Sequence, residues 1–356
     1  MKRNKLLIVT LAAAMALPVS ALADTSNVTV YGQIDMSYDV TKNGVIGANK
    51  VSSNVSKIGL KGAEDLGDGL SAIWQIEQQI DIDNNATNSD NNPAKNSFAS
   101  RNSFGGLKSD SMGTLLLGRH DSPYKLATRK LDVFGDTIAD NRSLMGKAGA
   151  FDARTANTVM YMSPKMSGFT ALAAYEAVAE TVTVAGTQKG SHWSFAGQYE
   201  GDGIQAGIGY DTSKLNVAAA AAQTKSTAWK IGGGYTMDAF NVNAVYESTK
   251  TDAVAPLKQN NVYLSGKYSF GNDAVKLAYT MAGKIDSRAG TDAKQLSLGY
   301  DHNLSKRTKV YAIYTQVSNG TAASFGLKNS GSTGPVIASG LGVKPSAWSF
   351  GVQHSF

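Results

Sequence analysis

The sequence lacks cysteine, has little proline and contains no long hydrophobic run in its main part. Among 356 residues there is no cysteine and there are seven prolines. The absence of cysteine excludes a disulfide framework and any thiolate metal site. After residue 23 no stretch of about 18 apolar residues occurs, which excludes a bundle of transmembrane helices. The mean hydropathy of −0.20 is by itself typical of a soluble protein.

The first 23 residues have the composition of a secretory signal peptide. Lys2, Arg3 and Lys5 precede an apolar stretch over residues 6–17, and Ala21-Leu22-Ala23 forms a small-x-small cleavage pattern. We therefore predict a cleaved signal peptide over 1–23 and a single mature domain over 24–356. Cleavage removes three basic residues and no acidic one, so the formal net charge falls from +6 to +3. An exported protein with this small excess is not expected to bind nucleic acid.

Hydrophobic periodicity in the mature chain is two. From Val28 to Tyr38 apolar side chains alternate with polar ones, which indicates a β-strand with two unlike faces. Sixteen segments of about ten residues show this pattern. They are residues 28–38, 57–63, 70–81, 98–108, 112–120, 155–163, 169–179, 192–200, 204–212, 228–237, 241–250, 261–270, 274–284, 294–302, 309–318 and 347–356.

The connections between these segments alternate between short turns and longer polar stretches. Short turns such as 201–203 and 238–240 are rich in turn-forming residues, whereas 40–56, 121–154 and 319–346 are long. An even number of long antiparallel strands with short turns on one rim is typical of an outer-membrane barrel. A soluble β-sandwich is the alternative, but its strands average about five or six residues. We predict a sixteen-stranded transmembrane β-barrel.

The polar face of the predicted strands favours a water-filled interior. It carries Lys57, Lys61, Glu77 and Arg101, which a protein core does not accept unpaired. In the last predicted strand Trp348, Phe350, Val352, His354 and Phe356 share one parity. A terminal strand of this kind resembles the signal by which outer-membrane barrels are recognised by their assembly machinery.

Several motifs resemble one protein family. The run SKIGLKGAEDLGDGLSAIWQIEQ over 56–78 resembles the second and third strands of general porins of Gram-negative bacteria, the neisserial and β-proteobacterial kind especially. Further similar motifs are 28–32, 101–107, 117–119, 157–164, 304–308 and 351–356. The resemblance spans the mature chain, and 180–260 carries little that is distinctive. It implies a trimeric barrel in the outer membrane, in contact with lipids and lipopolysaccharide, that passes ions and small hydrophilic solutes by diffusion.

The resemblance also implies a constriction formed by the third loop. In the family this loop folds into the barrel and faces basic side chains on the wall. Here it is residues 121–154, and Phe134-Gly135-Asp136-Thr137 is similar to the family's loop. The expected acidic groups are Asp132, Asp136 and Asp140.

Lys57, Lys61 and Arg101 are the basic candidates on the wall, and with a net charge of +3 they predict a mild anion preference. Further candidates flank the loop, namely Arg119, Arg142, Lys147 and Arg154. Arg119 shares the parity of two leucines, so it points inward only if its strand bulges.

Other chemistry has weak support in the sequence. His120, His192, His302 and His354 have no metal-ligand spacing, so no metal or cofactor is expected. A barrel enzyme needs an organised nucleophile and base, and strand parity does not assemble one. The chain is therefore not expected to be an enzyme. A substrate-specific outer-membrane channel remains the alternative function.

Overall fold

The computed structural model describes residues 28–44, 46–83, 98–146, 151–177, 190–216, 223–252, 257–327 and 340–356. The predicted signal peptide, Lys147 and the central part of several loops lie outside these residues. Most of these residues lie in β-strands. No helix in these ranges is long and apolar enough to cross a membrane.

Seventeen strands run in chain order within the described residues. They are β1 (Thr29–Lys42), β2 (Gly47–Ser53), β3 (Lys57–Gly67), β4 (Leu70–Gln79), β5 (Ser103–Ser109), β6 (Gly113–Asp121), β7 (Arg154–Met162), β8 (Phe169–Glu176), β9 (Ser191–Gly201), β10 (Ile204–Asn216), β11 (Gln223–Met237), β12 (Phe240–Asp252), β13 (Leu257–Phe270), β14 (Asp273–Ala282), β15 (Ala293–Asn303), β16 (Thr308–Asn319) and β17 (Ser346–Ser355). The same described residues contain one α-helix, α1 (Pro123–Thr128), and three 3-10 helices, Arg129–Leu131, Asn141–Ser143 and Ile285–Ser287.

The strands close into one antiparallel barrel, because each pairs with its neighbour and β1 pairs with β17. Both β2 and β3 pair with β1, β2 along 36–42 and β3 along 29–33. They form a single barrel strand that is interrupted at residues 54–56. The predicted barrel of sixteen strands is therefore confirmed.

The predicted loop over 40–56 is wrong for most of its length. Strand β1 continues to Lys42 and β2 occupies Gly47–Ser53, so the connection is four residues long, 43–46. Over Gly47–Ser53 the sequence GANKVSS contains one large apolar residue, Val51, so it lacks the alternation that sequence analysis reads. Backbone pairing with β1 defines the strand instead.

The two faces of the wall are inverted relative to a soluble protein. On β15, Leu296 and Leu298 point outward and are 51% and 53% exposed, whereas Gln295 and Ser297 point inward and are 1% and 2% exposed. Apolar side chains thus cover the outside, as a lipid-facing surface requires. Polar side chains line the inside.

Phe356 lies at the seam where the barrel closes. Its backbone N–H donates to the carbonyl of Gly32 at 3.1 Å, and the Gly32 N–H donates to the carbonyl of Phe356 at 3.0 Å. A Cβ on Gly32 would lie 2.4 Å from Cζ of the Phe356 ring. Glycine at position 32 therefore makes room for the terminal aromatic ring.

Candidate pore-lining site

The segment 122–146, between β6 and β7, lies along the inner face of the later strands. Helix α1 begins after Ser122, whose hydroxyl accepts a hydrogen bond from the Lys125 N–H, and it has Pro123 at its first position. The helix packs so closely on β10 that a Cβ on Gly207 would lie 1.9 Å from the carbonyl oxygen of Ala127. Gly207 thus allows the segment to lie against the wall.

An apolar core fixes the segment to this wall. Leu131, Phe134 and Leu144 are almost completely buried and belong to one cluster with side chains of β12 to β17. Phe134 fits over Gly299, where a Cβ would lie 2.6 Å from its ring. Leu131 lies over Gly232 in the same way, at 2.7 Å. We call the inner face of β9 to β16, beneath this segment, the covered wall.

Buried polar contacts tether the two ends of the segment to the covered wall. Glu247 on β12 accepts hydrogen bonds from the Tyr124 hydroxyl at 2.9 Å and from the Gly146 N–H at 2.8 Å. Lys230 on β11 forms an ion pair with Asp152, and its ammonium lies 4.1 Å from the Tyr124 ring centroid. These contacts bind the start and the end of the loop to adjacent strands.

Two arginines of the segment hold its three aspartates. Arg129 contacts Asp140 at 3.1 Å and Asp136 at 2.5 Å, and Arg142 contacts the same two residues at 2.7 Å and 3.1 Å. Asp132 accepts a hydrogen bond from Tyr263 of β13 at 2.8 Å. The Asp132 and Asp140 side chains are 1% and 0% exposed, whereas Asp136 is 44% exposed. Of the three carboxylates, Asp136 is the one in contact with water.

The pKa directions of these groups agree with the contacts. Burial and the charge of Asp140 raise the pKa of Asp132. The pKa of Asp140 is held well below its usual range by Arg142 and Arg129 in spite of its burial. Burial also opposes ionisation of Asp136, but Arg129 and Arg142, with a further contribution from Arg101, lower its pKa.

The wall formed by β3 to β7 carries basic side chains, and we call it the open wall. Glu77 of β4 contacts Arg101 at 2.6 Å and Lys57 at 3.4 Å, and it accepts a hydrogen bond from the Tyr31 hydroxyl at 3.1 Å. Lys61 is exposed, with its ammonium 5.3 Å from the Tyr31 ring centroid. The predicted wall residues Lys57, Lys61 and Arg101 therefore lie together, and Glu77 orients two of them.

The basic residues that flank the segment are arranged around Asp121. Arg154 contacts Asp121 at 3.1 Å and Lys125 contacts it at 2.8 Å. The register of β6 against β7 shifts between Gly118 and His120. Arg119 therefore lies at a break in the strand pairing, which is the condition that sequence analysis set for its side chain to point inward. The Nε atom of Arg119 is buried without a hydrogen-bond partner among the described residues. The predicted Lys147 lies outside the described residues.

Sequence analysis did not find the groups that hold the segment in place. Arg129, Lys125, Glu247 and Lys230 belong to this set. The Arg129 to Asp132 spacing of three residues, one helical turn, was a usable signal. Contacts such as Tyr124 to Glu247 join residues 123 positions apart, and no local pattern reveals them.

Comparison with known proteins agrees with this architecture. Residues 10–322 match the family model of Gram-negative porins. Outer membrane porin protein 32 of Delftia acidovorans is 26% identical over 372 residues, covering 100% of both chains. Major outer membrane protein P.IB of Neisseria lactamica is 29% identical over 361 residues, covering 92% of this chain and 99% of that protein.

Solved structures show the same fold. An anion-selective porin from Comamonas acidovorans superposes with a TM-score of 0.78 at 24% identity, covering 93% of this chain and 100% of that one. The trimer form of OmpT from Vibrio cholerae superposes with a TM-score of 0.69 at 16% identity, covering 94% and 100%. With a family match over most of its length, the chain belongs to the Gram-negative porins and is a passive diffusion channel of the outer membrane.

Proposed function

We propose that this diffusion porin prefers anions and that residues 121–154 set its narrowest point. The observation that carries the proposal is the unequal charge of the two walls. On the open wall Lys57 and Arg101 share one carboxylate, Glu77, and Lys61 has no carboxylate partner among the described residues. On the covered wall the three aspartates of the segment are paired with two arginines, Arg129 and Arg142, which leaves an excess of one negative charge.

A passing ion therefore meets a positive wall on one side and a surface with one excess negative charge on the other. Fixed charge at a constriction selects ions by sign. In this proposal Lys57, Lys61, Arg101, Arg119 and Arg154 attract anions, Lys147 adds to them, and Asp136 provides a half-exposed negative charge on the segment. Asp132 serves to anchor the segment. The relative from Comamonas acidovorans, described as anion-selective, supports the same sign.

We further propose a homotrimer, which the trimer form of OmpT supports as a precedent for this fold. Phe356 at the closing seam fits a role as the signal read by the assembly machinery. Residues 1–23 are proposed to be removed on export. Contact with lipopolysaccharide and other outer-membrane lipids is part of the proposal, and the exposed apolar outer face supports it.

The test is reconstitution of the purified mature protein in planar bilayers with a salt gradient. We expect stepwise ionic conductance, flux that rises linearly with solute concentration, and a reversal potential of the sign of an anion-selective pore. Inserted protein that carries no current would contradict the channel itself. Saturable flux would indicate a substrate-specific channel instead, and a cation-selective potential would overturn the role given to the open wall.

A further inference from the structure

A lysine, an aspartate and a glutamate meet at one buried point of the covered wall. Lys230 of β11 and Asp152, near the end of the loop 121–154, are joined by a contact of 2.5 Å between Nζ and Oδ1. Their side chains are 3% and 9% exposed. Glu247 of β12 is completely buried and lies directly opposite Lys230 in the pairing of the two strands. Three ionisable side chains are thus brought together away from bulk water.

Aromatic rings enclose this group. Tyr124 and Phe151 are buried in one apolar cluster with Ala228, and their ring centroids are 5.9 Å apart. The Lys230 ammonium lies 4.1 Å from the Tyr124 ring centroid. Charges are costly to bury even as a pair. These surroundings therefore favour a reaction that removes both charges of the Lys230 and Asp152 pair.

The two reacting groups are held close together. A nitrogen 2.5 Å from a carboxylate oxygen is within about 3.7 Å of the carboxyl carbon, since the C–O bond adds about 1.2 Å. Strand β11 fixes Lys230, and Asp152 comes two residues before β7. Groups fixed in this way react with effective concentrations of about 10⁵–10⁸ M.

We propose that Lys230 and Asp152 condense to an intramolecular isopeptide bond once the barrel has folded. Glu247 takes one proton from the ammonium and delivers it to an oxygen of the Asp152 carboxylate. The Lys230 Nζ forms a bond to Cγ of Asp152, and the bond from Cγ to that oxygen breaks. The oxygen leaves as water with a second proton from Nζ. One ammonium and one carboxylate become one amide and one water, so no oxidant or further reactant is needed.

Glu247 is placed to carry this proton. Opposed residues on neighbouring antiparallel strands have Cβ atoms about 4.5–5.5 Å apart, which brings its carboxylate within reach of the Lys230 ammonium. Its orientation is fixed by three hydrogen-bond donors, namely the Tyr124 hydroxyl, the Gly146 N–H and the Asn261 amide. A positioned proton carrier accelerates a reaction by about 10²–10⁴-fold.

A second buried pair in the lumen lacks this third group. Lys276 and Asp301 are in contact at 2.9 Å, with side chains 5% and 12% exposed. The third charged group there is Lys309, 3.7 Å from Asp301, which is a cation and cannot accept the proton. We expect no bond between Lys276 and Asp301, so this pair is an internal control.

Mass spectrometry of the purified mature protein tests the proposal. Relative to Lys230→Arg, which keeps a cation but cannot form this amide, the parent should be lighter than its sequence requires by one water. Trypsin does not cleave after an acylated lysine. Digestion should therefore give a branched peptide in which residues 148–154 are attached to residues 226–250. Cleavage after Lys276 should be complete.

Electrophoresis of the unfolded protein gives a second readout. The bond closes a ring of chain from residue 152 to residue 230, and an ion pair does not survive heating in sodium dodecyl sulfate. The heated parent should therefore migrate faster than heated Lys230→Arg. Equal migration of the two heated proteins would indicate that the contact is an ion pair only.

The role of Glu247 is tested during refolding of protein that has never been folded. Samples are taken over time, and Glu247→Gln should form the bond about a hundredfold more slowly than the parent. Trypsin resistance of the barrel in the same samples separates slow bond formation from slow folding. Equal rates in the two proteins would overturn the role of Glu247.

One result overturns the whole proposal. It is a folded parent that has the full mass of its sequence and releases residues 148–154 as a free peptide. If that parent still carries ionic current in planar bilayers, the covalent bond is wrong and the channel function stands.

Discussion

The two walls of the lumen are built from similar strands and differ in what lies against them. The covered wall carries the segment 122–146, with an apolar core around Phe134 and Leu131. The open wall carries Lys57, Lys61 and Arg101, of which Lys61 is exposed, the Lys57 side chain is 26% exposed and Arg101 is buried against Glu77. We infer that one half of the barrel supports the segment 122–146 and that the other half provides the conducting surface.

The largest effect is expected where the segment touches the covered wall most closely. Gly207→Val places a side chain where a Cβ already lies 1.9 Å from the Ala127 carbonyl oxygen, so α1 must move. Overpacking of this kind costs about 1–3 kcal/mol or more. We expect altered single-channel conductance and new tryptic cleavage at Arg129 or Lys130.

Gly233→Val is the matched control for this change. Its Cβ would point outward and meet a single atom, the Gln205 carbonyl oxygen, at 3.9 Å. It should leave conductance and protease resistance unchanged. If Gly207→Val behaves like this control, the segment is not held against β10 in the way described.

A second comparison uses one glutamate on each wall. Glu247→Gln weakens the acceptor of the Tyr124 and Gly146 hydrogen bonds, and we expect a loss of about 1–3 kcal/mol in the free energy of unfolding. Glu77→Gln removes the counter-charge of Lys57 and Arg101, so the reversal potential should shift further toward anions. Thermal unfolding and salt-gradient recordings on both variants check this. A shift in selectivity from Glu247→Gln larger than that from Glu77→Gln would reverse the roles of the walls.

Within the segment, accessible and buried aspartates should also differ. Asp136→Asn removes the half-exposed carboxylate and should increase anion selectivity with little loss of stability. Asp132→Asn weakens the acceptor of the Tyr263 hydroxyl and the Phe134 N–H, and it should lower stability by about 1 kcal/mol while leaving selectivity unchanged. Equal reversal potentials for Asp136→Asn and the parent would remove this residue from the ion path.

The smallest effect is a pH dependence at the border between the walls. Burial lowers the pKa of Lys125 to about 8, against the opposing influence of Asp121. Above this pH the side chain becomes neutral, so one positive charge is lost and anion selectivity should fall. Lys125→Met should lack this fall in anion selectivity with pH, whereas Lys165→Met, at an exposed turn, should retain it. If anion selectivity falls by the same amount with pH in Lys125→Met, the titrating group is not Lys125.

The strands and their faces could be predicted because each repeats a two-residue pattern over about ten residues. The same pattern is the basis on which Lys57, Lys61 and Arg101 are predicted to face the lumen. The pattern failed at β2, where Val51 is the one large apolar residue. Arg119 was expected to point inward only if its strand bulges, and the pairing of β6 with β7 shifts register at this position.

The arrangement of the segment could not be predicted in the same way. The acidic residues were found from their resemblance to a family loop, but their pairing with Arg129 and Arg142 depends on a folded turn. The contacts of Asp132 with Tyr263 and of Phe134 with Gly299 join positions more than 100 residues apart. Such contacts follow from closure of the barrel, which local periodicity does not encode.

The absence of cysteine makes the central claim directly testable. Lys61→Cys places a thiol on the open wall, and Ala278→Cys places one in the apolar core of the covered wall, where the side chain is 3% exposed. Each variant is inserted in a planar bilayer and treated with a water-soluble methanethiosulfonate reagent while current is recorded. The two-wall description predicts a rapid change in current for Lys61→Cys and none for Ala278→Cys. Rapid modification of Ala278→Cys, with Lys61→Cys unaffected, would contradict it.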